Sequence, residues 1–345
     1  MIPLERDFKL IRRIAGMRCL FMLIFVSASL TLSSSTFADD HCQNPIGINL
    51  AGPEFGKTTP GRLGYDYFFP TEEEIIYFKK LGFRSIRLPI MWERLQPQLD
   101  GPLDKLYLAG ITLVLDMAAK EDMSVVVDLH NYGRYRDHVV GSSEVPINAL
   151  YDVWQKLAGE LKNYKALHAY GLMNEPYDTS GTWPRSAQSG IDAIRSVDPY
   201  HEIYVSVENS GDSRIWKSDF LPFVKDPMNL EVYEAHIYFD ADYSGRYDAT
   251  EPRKDPKALV EEGVAPFIAW LKNHGKKGVI GEWGVPSQDE RWFPAVDRMV
   301  EIARQNCLPI YYWAGGNWGP DYKLSLGSGK GDEKLLAVHF KHVLL

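Results

Sequence analysis

Leu167-His-Ala-Tyr-Gly-Leu-Met-Asn-Glu-Pro-Tyr-Asp178 runs from a short apolar stretch into Asn174-Glu175-Pro176. Proline has no N–H for a sheet ladder, so the run reads as a strand, Leu167 to Glu175, stopped by Pro176. Glu175 then stands at a strand's C-terminal mouth beside an amide, a placement suited to proton transfer. Taken alone, a Glu capping an ordinary turn fits these residues equally well. The choice between the two rests on the rest of the chain.

Outward from this strand the pattern alternates. Before it come strand-like Ile46–Leu50, Phe83–Pro89 (again stopped by a proline) and Ser124–His130. They are separated by helical segments from Thr71 to about Leu81, from Asp104 to Glu121 and from Ile147 to Leu161. Thr71-Glu-Glu-Glu74 carries the capping-box signature. After it come strands at Glu202–Val207, Leu230–Tyr238, Gly278–Glu282 and Ile310–Ala314. The intervening helices read as Trp183–Val197, a short piece near Phe220, Pro256–His274 and Gln288–Gln305, with a last one from about Asp332. Eight strands alternating with helices fit an open doubly wound sheet or a closed (β/α)8 barrel. The loop after Leu50 lacks the glycine spacing of a dinucleotide-binding turn, so the barrel is the expected α/β fold.

The N-terminus follows a different logic. Arg18 precedes an apolar run, Cys19 to Leu32, and Thr36-Phe-Ala38 offers a small-residue cleavage site. This reads as a secretory signal over residues 1–38, with Met17 a possible true start. Residues 39–345 form one expected catalytic domain, without linker, repeat or appended module. Residues 1–38 hold five Lys/Arg and two Asp/Glu, so their loss moves the net charge from −8 to −11. Such an acidic chain is a poor partner for nucleic acid, and no membrane attachment is expected once the signal is gone. A monomer is expected. Cys42 and Cys307 remain, just before strands one and eight. Closure of a barrel makes those strands neighbours, so a disulfide between them is one expectation and two separate thiols the other.

In such a barrel reactive groups gather at the strands' C-terminal ends. There the sequence puts Arg87, His130, Asn174 with Glu175, His236 with Tyr238, Glu282 and Trp313. Each alone has a structural explanation, but their arrival from different strands at one rim does not. Strands four and seven lie on opposite sides of the mouth, so Glu175 and Glu282 can face each other. Two facing carboxyls of unequal acidity are what glycoside hydrolysis requires. No clustered His/Cys/Asp set suggests a metal, and no cofactor is expected.

Several pieces appear in one order along nearly the whole mature chain. They are Arg87-Leu-Pro-Ile-Met-Trp-Glu93, Val127-Asp-Leu-His-Asn-Tyr132, Leu172-Met-Asn-Glu-Pro176, His236-Ile-Tyr238, Ile280-Gly-Glu-Trp283 and Tyr312-Trp-Ala314. The set resembles glycoside hydrolase family 5. Within it, Asn131-Tyr-Gly-Arg134 and Phe239–Gly245 resemble the secreted endo-β-1,4-glucanases. The resemblance implies a retaining mechanism with Glu282 as nucleophile and Glu175 as acid/base. It also implies Arg87 and Tyr238 beside Glu282, Asn174 at a sugar 2-hydroxyl, His130, Asn131 and His236 at hydroxyls, and Trp313 under the sugar at the cut. A cis Trp313–Ala314 peptide belongs to the same implication. Tyr132, Trp183, Trp92 and Trp318 are candidate further platforms, of which about half are expected to be packing residues. Two residues depart from the pattern, Tyr177 for a His and Trp283 for a Thr, and both are expected to touch subsites flanking the cut. The expected partner is a β-glucan chain. The same chemistry on mannan, xylan or mixed-linkage glucan, transglycosylation, and a non-catalytic sugar-binding barrel are the alternatives.

Overall fold

The computed structural model describes residues 42, 44–217, 222–249, 251–319, 321–327 and 334–345. The leader read at residues 1–38, the helical piece near Phe220 and the expected start of the last helix at Asp332 lie outside them.

Eight parallel strands close into a barrel: β1 (Ile46–Ala51), β2 (Ser85–Ile90), β3 (Ser124–Leu129), β4 (Leu167–Gly171), β5 (Glu202–Ser206), β6 (Glu231–Tyr238), β7 (Lys277–Gly284) and β8 (Ile310–Gly316). Each pairs with its sequence neighbours, and β1 pairs with β8 to complete the ring. Around them lie α1 (Glu72–Lys80), α2 (Lys105–Lys120), α3 (Ile147–Leu161), α4 (Trp183–Arg195), α5 (Pro256–His274), α6 (Phe293–Asn306) and α7 (Leu335–Leu344). The capping box that opens α1 is formed: Thr71 Oγ1 accepts from Glu74 N at 3.2 Å, and Glu74 Oε2 accepts from Thr71 N at 2.9 Å.

Buried parallel strands are apolar on both faces, which explains why their runs show no alternation. The outward faces pack under the helices in one large core. A separate cluster of Val126, Ala169, Tyr204, Val232, Val279 and Tyr311 fills the lower barrel. Two residues further along two of these strands the same face becomes charged, at Asp128 and Glu234, because side chains on a strand repeat every second position. The barrel therefore has an apolar base and a charged upper layer.

Three local readings need correction. Regular pairing in β4 ends at Gly171, not at Glu175. Ladder-type bonds continue beyond it, Leu172 N to Tyr204 O at 2.9 Å and Asn174 N to Leu129 O at 2.8 Å, so the reversal itself falls at Glu175. Pro89 does not stop β2 but lies within it, opposite Asp128 of β3. The β1–β2 register ends at Asn49↔Arg87, so no β1 carbonyl requires the missing N–H. A two-stranded hairpin after β3, Arg134–Tyr135 with His138–Val139, had no signal in the sequence. Its turn residues Arg136 and Asp137 both take positive φ, as a tight hairpin turn requires, yet neither is Gly or Asn. Tertiary contact supplies the compensation: Glu93 Oε1 accepts the Arg136 N–H at 2.6 Å.

Cys42 and Cys307 are bonded, with Cα atoms 4.2 Å apart across 265 residues of sequence. Closing so long a loop restricts the unfolded chain and stabilises the barrel by about 3–5 kcal/mol.

Candidate active site

Arg87 is the hub of the upper layer and is fully buried. Its Nε donates to Glu234 Oε1 at 3.1 Å, Nη1 to Asn49 Oδ1 at 2.9 Å and to Glu282 Oε1 at 3.0 Å, and Nη2 to Asn174 Oδ1 at 2.7 Å. Nη2 also lies 3.0 Å from Asp128 Oδ1. A guanidinium only donates, so these contacts orient the Asn174 amide with its oxygen toward Arg87. Its Nδ2 is buried without a protein partner and is left for another acceptor.

Glu282 owes its position to a register slip. On β6–β7 the pairing jumps from Ala235↔Ile280 to His236↔Glu282, passing over Gly281, and such an extra residue re-aims the next side chain. Only glycine fits here, since a Cβ at residue 281 would lie 1.8 Å from Glu234 Oε1. The slip brings Glu282 Oε2 to 3.0 Å from Tyr238 Oη, which donates to it, while Arg87 holds the other oxygen. Burial pushes the Glu282 carboxyl above its ordinary range. The charges of His236 and Arg87 pull it back, and that of Glu175 pushes with the burial.

Glu175 faces it from the β4 loop, held at a positive φ of 40°, which is uncommon for a non-glycine residue. Its Oε1 meets His236 Nδ1 at 2.8 Å. His236 Nδ1 is also 3.6 Å from Glu282 Oε2, and its Nε2 is 3.5 Å from Glu234 Oε1. Burial opposes a charge on this ring, but Glu282, Glu175 and Glu234 outweigh it and raise His236 to about 10. The His236 ring thus sits between the two carboxyl groups. One ligating atom from each of Glu175, His236 and Glu282 falls within a 4.8 Å sphere of mutual distance. That is metal-like spacing, but the guanidinium already bonded to Glu282 repels an added cation.

The wall beside the pair is aromatic. His130 Nδ1 bonds Asp128 Oδ2 at 2.8 Å, so only its Nε2 remains for another group. Burial depresses His130 to about 4, keeping the ring neutral. Burial likewise raises Asp128, to about 7, against the pull of Arg87. Trp313 lies nearly parallel to His130 at 5.4 Å, and its Nε1 donates to Tyr322 Oη at 2.8 Å. The Trp313–Ala314 peptide is cis.

Residues 44–319 match the family model Cellulase, glycosyl hydrolase family 5. The chain belongs to glycoside hydrolase family 5. It is 31% identical to endo-beta-1,4-glucanase B of Emericella nidulans over 81% of this chain and 85% of that protein. The solved structure of Pseudomonas stutzeri endoglucanase Cel5A in complex with cellobiose superposes with a TM-score of 0.83 at 38% identity, covering 88% and 92% of the two chains. XacCel5A in complex with cellopentaose superposes with a TM-score of 0.80 at 34% identity, over 88% of this chain and all of that one (100%). The protein is therefore a family 5 glycoside hydrolase with the family's barrel.

Within this family 5 barrel Arg87, His130, Asn174, Glu175, His236, Tyr238, Glu282 and Trp313 come together, while Asn131, Trp183, Trp92 and Trp283 are taken up inside the protein. Asn131 spends both ends of its amide inside the protein, accepting from Trp92 N at 2.7 Å and donating to Glu93 Oε2 at 2.7 Å. Trp183 is buried, with Nε1 donating to Ser206 O at 2.7 Å. Trp92 is buried as well, whereas Tyr132 and Trp318 reach the surface. Trp283 also differs from expectation. Its ring is fully buried against Tyr312 and Phe340.

Asn49, Asp128 and Glu234 were not recognised in the sequence. The signal was available: a carboxylate inside a strand buried on both faces needs a cationic partner. Asp128 and Glu234 each stand two residues before a rim histidine, on the same strand face. Replacing Arg87 with Met strands three buried carboxylates and is expected to cost about 3–5 kcal/mol of stability. Urea unfolding measures this, and a loss below about 0.5 kcal/mol would refute the hub.

Proposed function

We propose that this protein is a secreted, retaining endo-β-1,4-glucanase, with Glu282 as nucleophile and Glu175 as acid/base. The observation that carries the reading is the approach of a Glu175 and a Glu282 carboxylate oxygen to within 4.8 Å. Retaining enzymes hold their carboxyls about 5–5.5 Å apart, while inverting ones leave about 6.5–9.5 Å for a water. Glu282, bonded by Arg87 and Tyr238, is kept anionic to attack the anomeric carbon. As that C–O bond forms, the glycosidic oxygen leaves with the Glu175 proton. Water then attacks the glycosyl ester, gives its proton to Glu175 and frees Glu282. The unpartnered Nδ2 of Asn174 suits the sugar 2-hydroxyl, where hydrogen bonds strengthen in the transition state. His130 Nε2 and the open edge of Trp313 suit the same sugar.

The substrate reading follows the names of the relatives and the cello-oligosaccharides in the two solved structures. The destination follows the signal-like residues 1–38. Among the described residues no helix is long and apolar enough to cross a membrane. Reducing ends are expected from carboxymethylcellulose and barley β-glucan, with far fewer from mannan or xylan. Preference for mannan would overturn the substrate and leave the chemistry intact.

A further inference from the structure

Tyr177, two residues beyond Glu175, is 43% exposed. Its setting is built rather than loose. The Arg134 guanidinium lies over one face of its ring, 4.0 Å from the centroid, and Nη1 donates to the carbonyls of Tyr177 at 2.8 Å and Tyr132 at 2.9 Å. Arg134 in turn belongs to the hairpin after β3, which Glu93 grips through Arg136 N and Asn131 Nδ2, and which Tyr135 Oη ties to Gln96 O at 2.9 Å. Hairpin and β4 loop are in close contact: a Cβ on Gly133 would lie 3.2 Å from Thr179 Cγ2 and 3.4 Å from Pro176 Cβ. Tyr132, at a positive φ of 56° and 39% exposed, sets its ring between His130, at 5.4 Å, and Tyr177, at 6.3 Å. Rings thus step outward from Trp313 through His130 and Tyr132 to Tyr177.

The reaction gives this row a direction. The acid protonates the oxygen of the departing sugar, so that sugar lies on the Glu175 side, away from Trp313. We infer that Tyr177, clamped from behind by Arg134, is the platform for the leaving-group glucosyl unit, and therefore also for a sugar acceptor that competes with water. The inference rests on the glucanase reading above. An indole or phenol ring covers the apolar CH face of a pyranose with little loss of side-chain entropy. A rigid platform occupied by an incoming chain aligns its hydroxyl with the glycosyl ester. The acceptor oxygen then bonds to the anomeric carbon, the ester bond to Glu282 breaks, and the hydroxyl proton passes to Glu175. The product is a longer β-glucan chain.

The test compares wild type, Tyr177→Ala, Tyr177→Trp and Arg134→Ala on cellotetraose and on an aryl β-cellobioside, with products separated by chain length. Tyr177→Ala is expected to lower kcat/KM on cellotetraose, and the ratio of transfer to hydrolysis, each by about tenfold, the scale of one lost stacking contact. The loss on the aryl substrate, whose leaving group is not a sugar, should be several-fold smaller. Tyr177→Trp should restore transfer, and Arg134→Ala should fall between. Equal losses on both substrates mean a structural role and overturn the platform, as does an unchanged transfer ratio. A wild type inert on every β-1,4-glucan overturns the glucanase reading and the platform with it.

Discussion

Glu282→Gln is expected to lower kcat on soluble β-1,4-glucan by about 10⁴-fold or more, while cello-oligosaccharide binding stays within a few-fold of wild type. The amide keeps the size of the carboxylate; its oxygen can still accept from Arg87, while its NH2 donates to Tyr238 Oη in place of the bond that hydroxyl gave, so the site retains its shape. What it loses is the anion that forms the glycosyl ester. Removing a buried charge that Arg87 and His236 both face also changes the field on Glu175, and this must be separated from loss of the nucleophile. Cutting the side chain back to Gly and adding azide does so. If Glu282 attacks the anomeric carbon, azide entering from its side restores turnover with an α-glycosyl azide as product. A β product, or a Gln variant with near-wild-type rate, places the nucleophile elsewhere.

Glu175→Gln is expected to have the second largest effect, about 10³–10⁴-fold on glucan, the usual worth of a positioned proton donor for a poor leaving group. Its signature is dependence on the leaving group. A dinitrophenyl cellobioside departs without help, so its glycosylation step should lose far less, and the slow step should become hydrolysis of the ester. A pre-steady-state burst of dinitrophenolate measures that change. A uniform loss across leaving groups would assign Glu175 a positioning role only. His236 sharpens the expectation, because its imidazolium bonds Glu175 Oε1 and stands between the two carboxyl groups. In the Gln variant that imidazolium keeps Glu234 and Glu282, so the fold should survive.

Much of this molecule was legible before any coordinates. Eight apolar runs separated by amphipathic segments admit few architectures, and the absence of a phosphate-binding turn after β1 removes the main competitor. Reading off the strand ends picked out Glu175, Glu282 and neighbours such as Arg87, His236 and Tyr238, which the barrel does bring together. The disulfide was legible for the same reason, since barrel closure brings the residues before β1 and β8 together.

Sequence alone decided the periodicities, the charged residues placed at strand ends and the order of the motifs, because each is a local property of the chain. Tertiary structure decided the rest. The slip at Gly281 that turns Glu282 toward Glu175 depends on a Glu234 carboxylate forty-seven residues earlier, occupying the space a side chain would need. The Arg87 guanidinium shared among β1, β3, β6, β7 and the segment after β4 has the same origin. So does the burial of Asn131, Trp183 and Trp283, whose residue types suit a sugar site as well as a core. Whether a polar or aromatic side chain meets substrate or protein depends on what the distant chain brings against it, and no window of sequence contains that information.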